Sequence, residues 1–261
     1  MYGFLGAGNM GGAILRGAVA KFGAERFAVY DVNAEIRESL AKKLGISTVQ
    51  NSSKLVELSN FVFLCVKPQT YKAVLNEISP LLKGKVLVSI MAGVTISSLR
   101  EVVGEGVEIV RVMPNLPAMV AKGCTEIAKD SPATDENLKV VRELFSSVGE
   151  VLLLPEKQLD AATVSASCSP AFAFLFIEAL ADAGVGAGLQ RADAVKMAAA
   201  ALAGAAQMVL EGEDPAVLKN RVASPAGSTI KGIVTLENKA FRGAIISAYE
   251  SSFERNLQLG T

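Results

Sequence analysis

The apolar positions of this 261-residue chain follow two successive patterns. Up to about residue 154, short continuous apolar runs alternate with amphipathic stretches. Tyr2–Leu5, Phe27–Tyr30, Phe61–Val66, Val86–Met91, Glu108–Val112 and Val151–Leu154 read as strands. Met10–Phe22, Ala34–Leu44, Gln69–Ile78 and Asp135–Ser147 carry helical spacing. Strands that are apolar along their length and separated by helices predict a parallel sheet covered on both faces. From Leu159 onward the spacing is helical throughout, over Phe172–Ala183, Ala192–Leu210, Ala216–Val222, Ile230–Ala240 and Phe241–Asn256. The expectation is an α/β chain: a doubly wound parallel sheet over 1–154, then an all-helical domain over 155–261. The small-residue run "KMAAAALAGAA" at 196–206 suits core packing and a helical subunit interface equally well.

The first chemistry lies where the first strand meets the first helix. Gly6, Gly8 and Gly11, within "GAGNMG", follow the apolar Tyr2–Leu5. In that context Gly6 permits a tight turn, Gly8 lets backbone approach a pyrophosphate, and Gly11 lets helix pack on strand. The helix start then offers unpaired N–H groups to phosphates. Asp31 ends the second strand, 20 residues after Gly11, where a carboxylate accepts hydrogen bonds from a ribose diol. Capping of the helix that begins near Ala34 is the competing reading of Asp31, and the two are compatible. Together these features predict a Rossmann-like dinucleotide-binding domain. "FVFLCVKPQ" and "VLVSIMAGV" end at the same edge of the sheet, and Asn115 sits between Pro114 and Pro117 after a further strand. Lys67 is read either as a cofactor contact or as a surface lysine, and Asn115 either as an amide delivered to the nicotinamide or as a plain turn.

Composition narrows the chemistry. The chain has no histidine and no tryptophan, which removes Ser-His-Asp hydrolysis and imidazole acid catalysis. Lysine plus arginine equals aspartate plus glutamate, 26 each, so no electrostatic case exists for nucleic acid or an anionic membrane. Cys65, Cys124 and Cys168 lack paired spacing and predict free thiols in a reducing compartment. The glycine turn leaves no room ahead of it for a leader, and the longest uncharged run, Ala161–Ile177, is interrupted by serines and Pro170. A cytoplasmic protein without a membrane span is the expectation.

The second chemical feature is "VASPAGSTIKG" at 222–232. Pro225 stops one helix, and Gly227, Ser228 and Thr229 stand where the next begins. Simple N-capping is one reading. The other is an anion site in which N–H groups and two hydroxyls hold a carboxylate.

Taken with "FLGAGNMG", "VKPQ", "RVMPNLPAMV" and "SPAFAFLFIEALADAGV", this stretch resembles the pyrroline-5-carboxylate reductase family over essentially the whole chain. The resemblance implies an imine reductase that makes L-proline from 1-pyrroline-5-carboxylate with NADPH or NADH, as a homodimer or a larger assembly such as a decamer. It implies cofactor contacts at Gly6, Ala7, Gly8, Asn9, Met10 and Gly11, at Cys65, Val66, Lys67 and Pro68, and at Met91, Ala92 and Gly93. It places substrate contacts at Gly227, Ser228 and Thr229, with Thr229 as the hydroxyl that polarises or orients the cyclic imine. Three departures stand out: Leu116 replaces the family's threonine, Ala226 and Ser228 alter its Ser-Pro-Gly-Gly-Thr-Thr, and Ser167, Cys168 and Ser169 replace a glycine-rich stretch. Asp31 favours NADH over NADPH. Two alternatives remain open from the residues: a β-hydroxyacid dehydrogenase, which needs an asparagine where Ala200 follows Lys196, and a catalytically silent cofactor-sensing protein of the same fold.

Overall fold

The structure, a computed structural model, describes residues 1–259. Its first part alternates strand and helix: β1 (Tyr2–Leu5), α1 (Asn9–Phe22), β2 (Phe27–Tyr30), α2 (Ala34–Leu44), β3 (Ser47–Thr48), α3 (Ser52–Leu58), β4 (Phe61–Leu64), α4 (Tyr71–Ile78), β5 (Val86–Ser89) and α5 (Ile96–Val103). Then follow β6 (Glu108–Met113), β7 (Gly123–Ala128), α6 (Asp135–Phe145) and β8 (Gly149–Leu154). Among the described residues the eight strands form one sheet in the order β3-β2-β1-β4-β5-β6-β7-β8. This extends the 3-2-1-4-5-6 order of the Rossmann fold, with the strand order reversing between β1 and β4.

Two apolar clusters cover the two faces of the sheet. Phe4, Phe27, Phe63, Ile14, Leu15 and Phe145 centre one, and Leu5, Val62, Leu64, Leu75, Ile78 and Leu99 the other. Alternate residues of β1 and β4 thus point into opposite cores, which is why these strands are apolar throughout. Phe4 and Phe63 stack with their ring centroids 4.4 Å apart.

The sheet departs from the expected all-parallel pattern at one place. β6 and β7 are antiparallel, pairing Val112 with Ile127 and Met113 with Glu126. The short link through the 3-10 turn Leu116–Val120 cannot make the crossover that a parallel pair needs. β7 carries Thr125 and Glu126 within its apolar residues, which hid it from a periodicity reading. The short helices α3 and α5 are signalled by their caps: Asn51 Oδ1 accepts from Lys54 N–H at 2.8 Å, and Thr95 Oγ1 from Ser98 N–H at 3.1 Å.

Beyond β8 the chain is helical: α7 (Leu159–Thr163), a π-helical turn (Val164–Cys168), α8 (Ser169–Gly186), α9 (Arg191–Leu210), α10 (Pro215–Arg221), α11 (Ser228–Asn238) and α12 (Phe241–Leu259). The chain divides into two compact units, one of residues 1–167 with the segment from Phe253, the other Cys168–Ser252. The division expected at 154–155 therefore falls inside the first unit. Arg111, 3% exposed, holds this region to β6 by pairing with Glu156 at 3.2 Å and Asp160 at 3.1 Å.

In the second unit the buried apolar side chains are all alanines: Ala181, Ala194 and Ala198. Leu175 is 66% and Leu210 69% exposed, and most of the 196–206 run faces outward. Of the two readings of that run, core packing within this chain applies to Ala198 alone. Glu156–Gly186 and Arg191–Leu210 are also long and apolar enough to cross a bilayer by length and composition, contrary to the sequence expectation. The reason is local: the π turn and Pro170, at the start of α8, carry the helix onward instead of ending it.

Candidate active site

The strand register builds the site. Leu5 pairs with Tyr30 on one side and with Leu64 on the other, so Gly6, Asp31 and Cys65 stand level, one residue past the carboxyl ends of β1, β2 and β4. Gly6 N–H donates to Tyr30 O and Cys65 N–H to Leu5 O, both at 2.8 Å. A cleft of about 400 Å³ opens here, lined by Gly6, Gly8, Tyr30, Asp31, Cys65, Val66 and Lys67, and also by Val32, Ser52, Thr70, Val74 and Glu77. It lies at the strand-order reversal, where open α/β sheets take ligands.

The glycines fit a dinucleotide for separate reasons. Gly6 has φ +108°, and a Cβ there would stand 2.6 Å from Cys65 O. A Cβ on Gly11 would stand 2.4 Å from Gly6 O, so helix and turn close on each other only without one. A Cβ on Gly8 would meet nothing within 4 Å, which leaves the turn open for a pyrophosphate. Gly8 is also the N-cap of α1 and no side chain caps that helix, so the N–H groups around Asn9 and Met10 remain available to phosphate oxygens.

Asp31 is not a helix cap. Asn33 caps α2, its Oδ1 accepting from Ile36 N–H at 3.2 Å. Asp31 Oδ2 accepts from Ala7 N–H at 2.7 Å and its Oδ1 from Asn33 N–H at 2.9 Å, so the carboxylate braces the glycine turn from the edge of the cleft. Arg37 lies beside it, donating to Asp31 O at 3.2 Å, its guanidinium over the Tyr30 ring.

The other predicted contacts separate. Val66 and Lys67 line the cleft, and Pro68 opens the 3-10 turn that leads into α4. Met91, Ala92 and Gly93 follow β5 at the same edge of the sheet but outside the cleft lining. Asn115 is a clasp and not a presented amide. Its Nδ2 donates to Ala166 O at 2.8 Å and its Oδ1 accepts from Cys124 N–H at 2.9 Å. It joins β6, β7 and the π turn, a role that the flanking prolines did not reveal.

In the second unit Gly227 is the N-cap of α11, Ser228 and Thr229 form its first turn, and no side chain caps it. The capping reading of these hydroxyls is thereby removed. Both are exposed. Ser224, absent from the sequence prediction, belongs to the same loop: Gly227 N–H donates to Ser224 O at 3.1 Å, and Ser224 Oγ occupies the place of a Cβ on Gly227. Ala226 adopts φ +56°, a strained value for alanine.

A third group also escaped the sequence reading. Glu126 is 1% exposed, accepts from Cys124 Sγ at 3.4 Å, and its Oε2 has no partner among the described residues. Burial pushes its carboxyl up to about 7. The Cys124 thiol is pushed up to about 12, first by burial and then by the Glu126 and Glu150 carboxylates, which favours the protonated thiol.

Strand order, glycine turn, uncapped helix and brace carboxylate define a dinucleotide-binding Rossmann protein. Residues 1–93 match the family model for NADP oxidoreductase, coenzyme F420-dependent, and residues 156–259 the model for pyrroline-5-carboxylate reductase dimerisation. The chain is 40% identical to pyrroline-5-carboxylate reductase of Methanosarcina acetivorans, over 99% of this chain and 97% of that protein. It is 39% identical to the Escherichia coli enzyme, over 98% and 97%. The crystal structure of Plasmodium falciparum pyrroline carboxylate reductase with NADP bound superposes with a TM-score of 0.89 at 32% identity, covering 100% of this chain and 98% of that one. The chain belongs to the pyrroline-5-carboxylate reductase family.

Proposed function

We propose that the protein reduces 1-pyrroline-5-carboxylate to L-proline with NAD(P)H, the cofactor seated in the β1–β4 cleft. The observation that carries the reading is the open face of Gly8 above the uncapped start of α1, with Asp31 at the cleft edge. When bound, the reduced nicotinamide supplies a hydride. The chain's share is to bind and orient, since a protonated cyclic imine is already an electrophile and needs no imidazole acid. Gly6–Gly11 cradle the pyrophosphate, and Asp31 accepts from the ribose diol through lone pairs that Ala7 and Asn33 leave free. Gly227 and Ser228 hold the substrate carboxylate by N–H and hydroxyl groups at the start of α11. Thr229 donates to the substrate and fixes its orientation.

The finer parts of this reading are three. Residues 1–154 form the cofactor domain and 155–261 the substrate and dimerisation domain. Asp31 makes NADH the preferred cofactor. The exposed apolar side chains of α8 and α9 are covered by a second copy, giving at least a homodimer that works in the cytoplasm on a small cyclic imine. An alanine-only core supports this, because such a unit lacks the apolar burial needed to stand alone.

Absorbance at 340 nm tests the activity. Purified protein is expected to oxidise NADH or NADPH only when 1-pyrroline-5-carboxylate is present. Retained dinucleotide binding with no oxidation would instead favour the catalytically silent alternative.

A further inference from the structure

The cleft is lined by more residues than those assigned to a pyrophosphate and a ribose. Its lining also includes Val32, Val66 and Val74, together with Ser52 and Glu77. Three branched apolar side chains suit the faces of a flat heterocycle, and the dinucleotide's purine is the part left to place there. Ser52 is buried, and its Oγ donates to Glu77 Oε1. This bond joins α3 to α4 and orients the carboxylate. Capping does not account for it, because α3 is already capped by Asn51. With Oε1 engaged, Oε2 is left to accept a further hydrogen bond. An ionised carboxylate accepts and never donates. Adenine presents an exocyclic amine, which donates; a purine with hydrogen in its place offers the carboxylate no donor there.

We infer that Glu77, held by Ser52, reads the base of the dinucleotide by accepting a hydrogen bond from the adenine amine. The inference rests on the cleft being the cofactor site, and it adds a specificity residue on α4 that neither glycine turn nor brace carboxylate supplies. Lys67, in the turn between β4 and α4, is the cation of the lining and the natural partner for phosphate, so the Glu77 carboxylate is left to the base.

The test is calorimetric titration of the whole protein with NADH and with the reduced dinucleotide whose purine carries hydrogen in place of the amine, which differ only at this position of the base. Wild type is expected to bind NADH about tenfold or more tightly, the effect of one hydrogen bond to a charged group. Glu77→Leu, which has no acceptor, is expected to bring the two affinities together. Equal affinities in wild type would overturn the inference even if the variant failed to fold. An unchanged preference in a folded Glu77→Leu would overturn it too, with the cofactor site left standing. Failure of wild type to bind either dinucleotide would remove the cofactor reading and the inference with it.

Discussion

The backbone N–H of Ala7 donates to Asp31 Oδ2 at 2.7 Å, so the end of β2 braces the glycine turn that ends β1. Asp31 is therefore a structural brace and a charge at the edge of the cofactor cleft at once. A phosphate about 4 Å from a carboxylate is repelled by about 4 kcal/mol at an effective dielectric near 20, before screening. Screening leaves ~1–2 kcal/mol, near tenfold in affinity. Wild type is expected to show a higher kcat/KM with NADH than with NADPH. Asp31→Asn keeps an acceptor for Ala7 N–H while removing the charge, and should narrow or reverse the preference. A tenfold preference of wild type for NADPH would show that Arg37, beside Asp31, governs the pocket instead.

Thr229 stands in the uncapped first turn of α11 with its hydroxyl unclaimed by capping. Thr229→Ala is expected to lower kcat/KM for the imine by about ten- to a hundredfold, the value of one hydrogen bond to a charged substrate. Dinucleotide affinity should stay unchanged. Kinetics equal to wild type would remove Thr229 from the substrate site.

Glu126 gives the fold a pH dependence of known sign. Burial pushes its carboxyl from the ordinary 4.5 up to about 7. The folded protein keeps a proton that the unfolded chain releases, so this contribution is complete below 4.5 and is lost as pH rises to about 7. The full loss is on the order of 3 kcal/mol. Thermal unfolding should show Tm falling across that window, and Glu126→Gln should flatten the fall. Parallel Tm profiles for the two proteins would mean that Glu126 is solvated in solution.

Assembly follows from the second unit, where alanines alone are buried and Leu175 and Leu210 stand in solvent. Light scattering is expected to give a mass at least twice the 27.3 kDa of one chain. Leu175→Glu, which puts a charge on that apolar surface, should shift the protein toward monomer. A stable wild-type monomer at micromolar concentration would refute the covered face.

The cofactor half was legible because its signals are local. A continuous apolar strand, a glycine turn and an acidic residue at fixed spacing each act through a few neighbouring residues, and register then brings Gly6, Asp31 and Cys65 level. What stayed hidden depends on distant partners. β7 is a strand because β6 and β8 flank it, and Asn115 became a clasp only when Cys124 and Ala166 were brought to it. Glu77 and Ser52 gave no signal, since they stand 25 residues apart and meet only through the packing of α3 on α4. The start of α11 was visible from Pro225 and Gly227, whereas the part of Ser224 required the loop's own geometry.

Isotope transfer tests the central claim most directly. The protein is incubated with 1-pyrroline-5-carboxylate and NADH carrying deuterium at both positions of nicotinamide C4, and the proline is examined by mass spectrometry and NMR. One deuterium per molecule, on the ring carbon that was double-bonded to nitrogen, is the predicted result. Proline without deuterium, or oxidation of NADH without labelled proline, would contradict it.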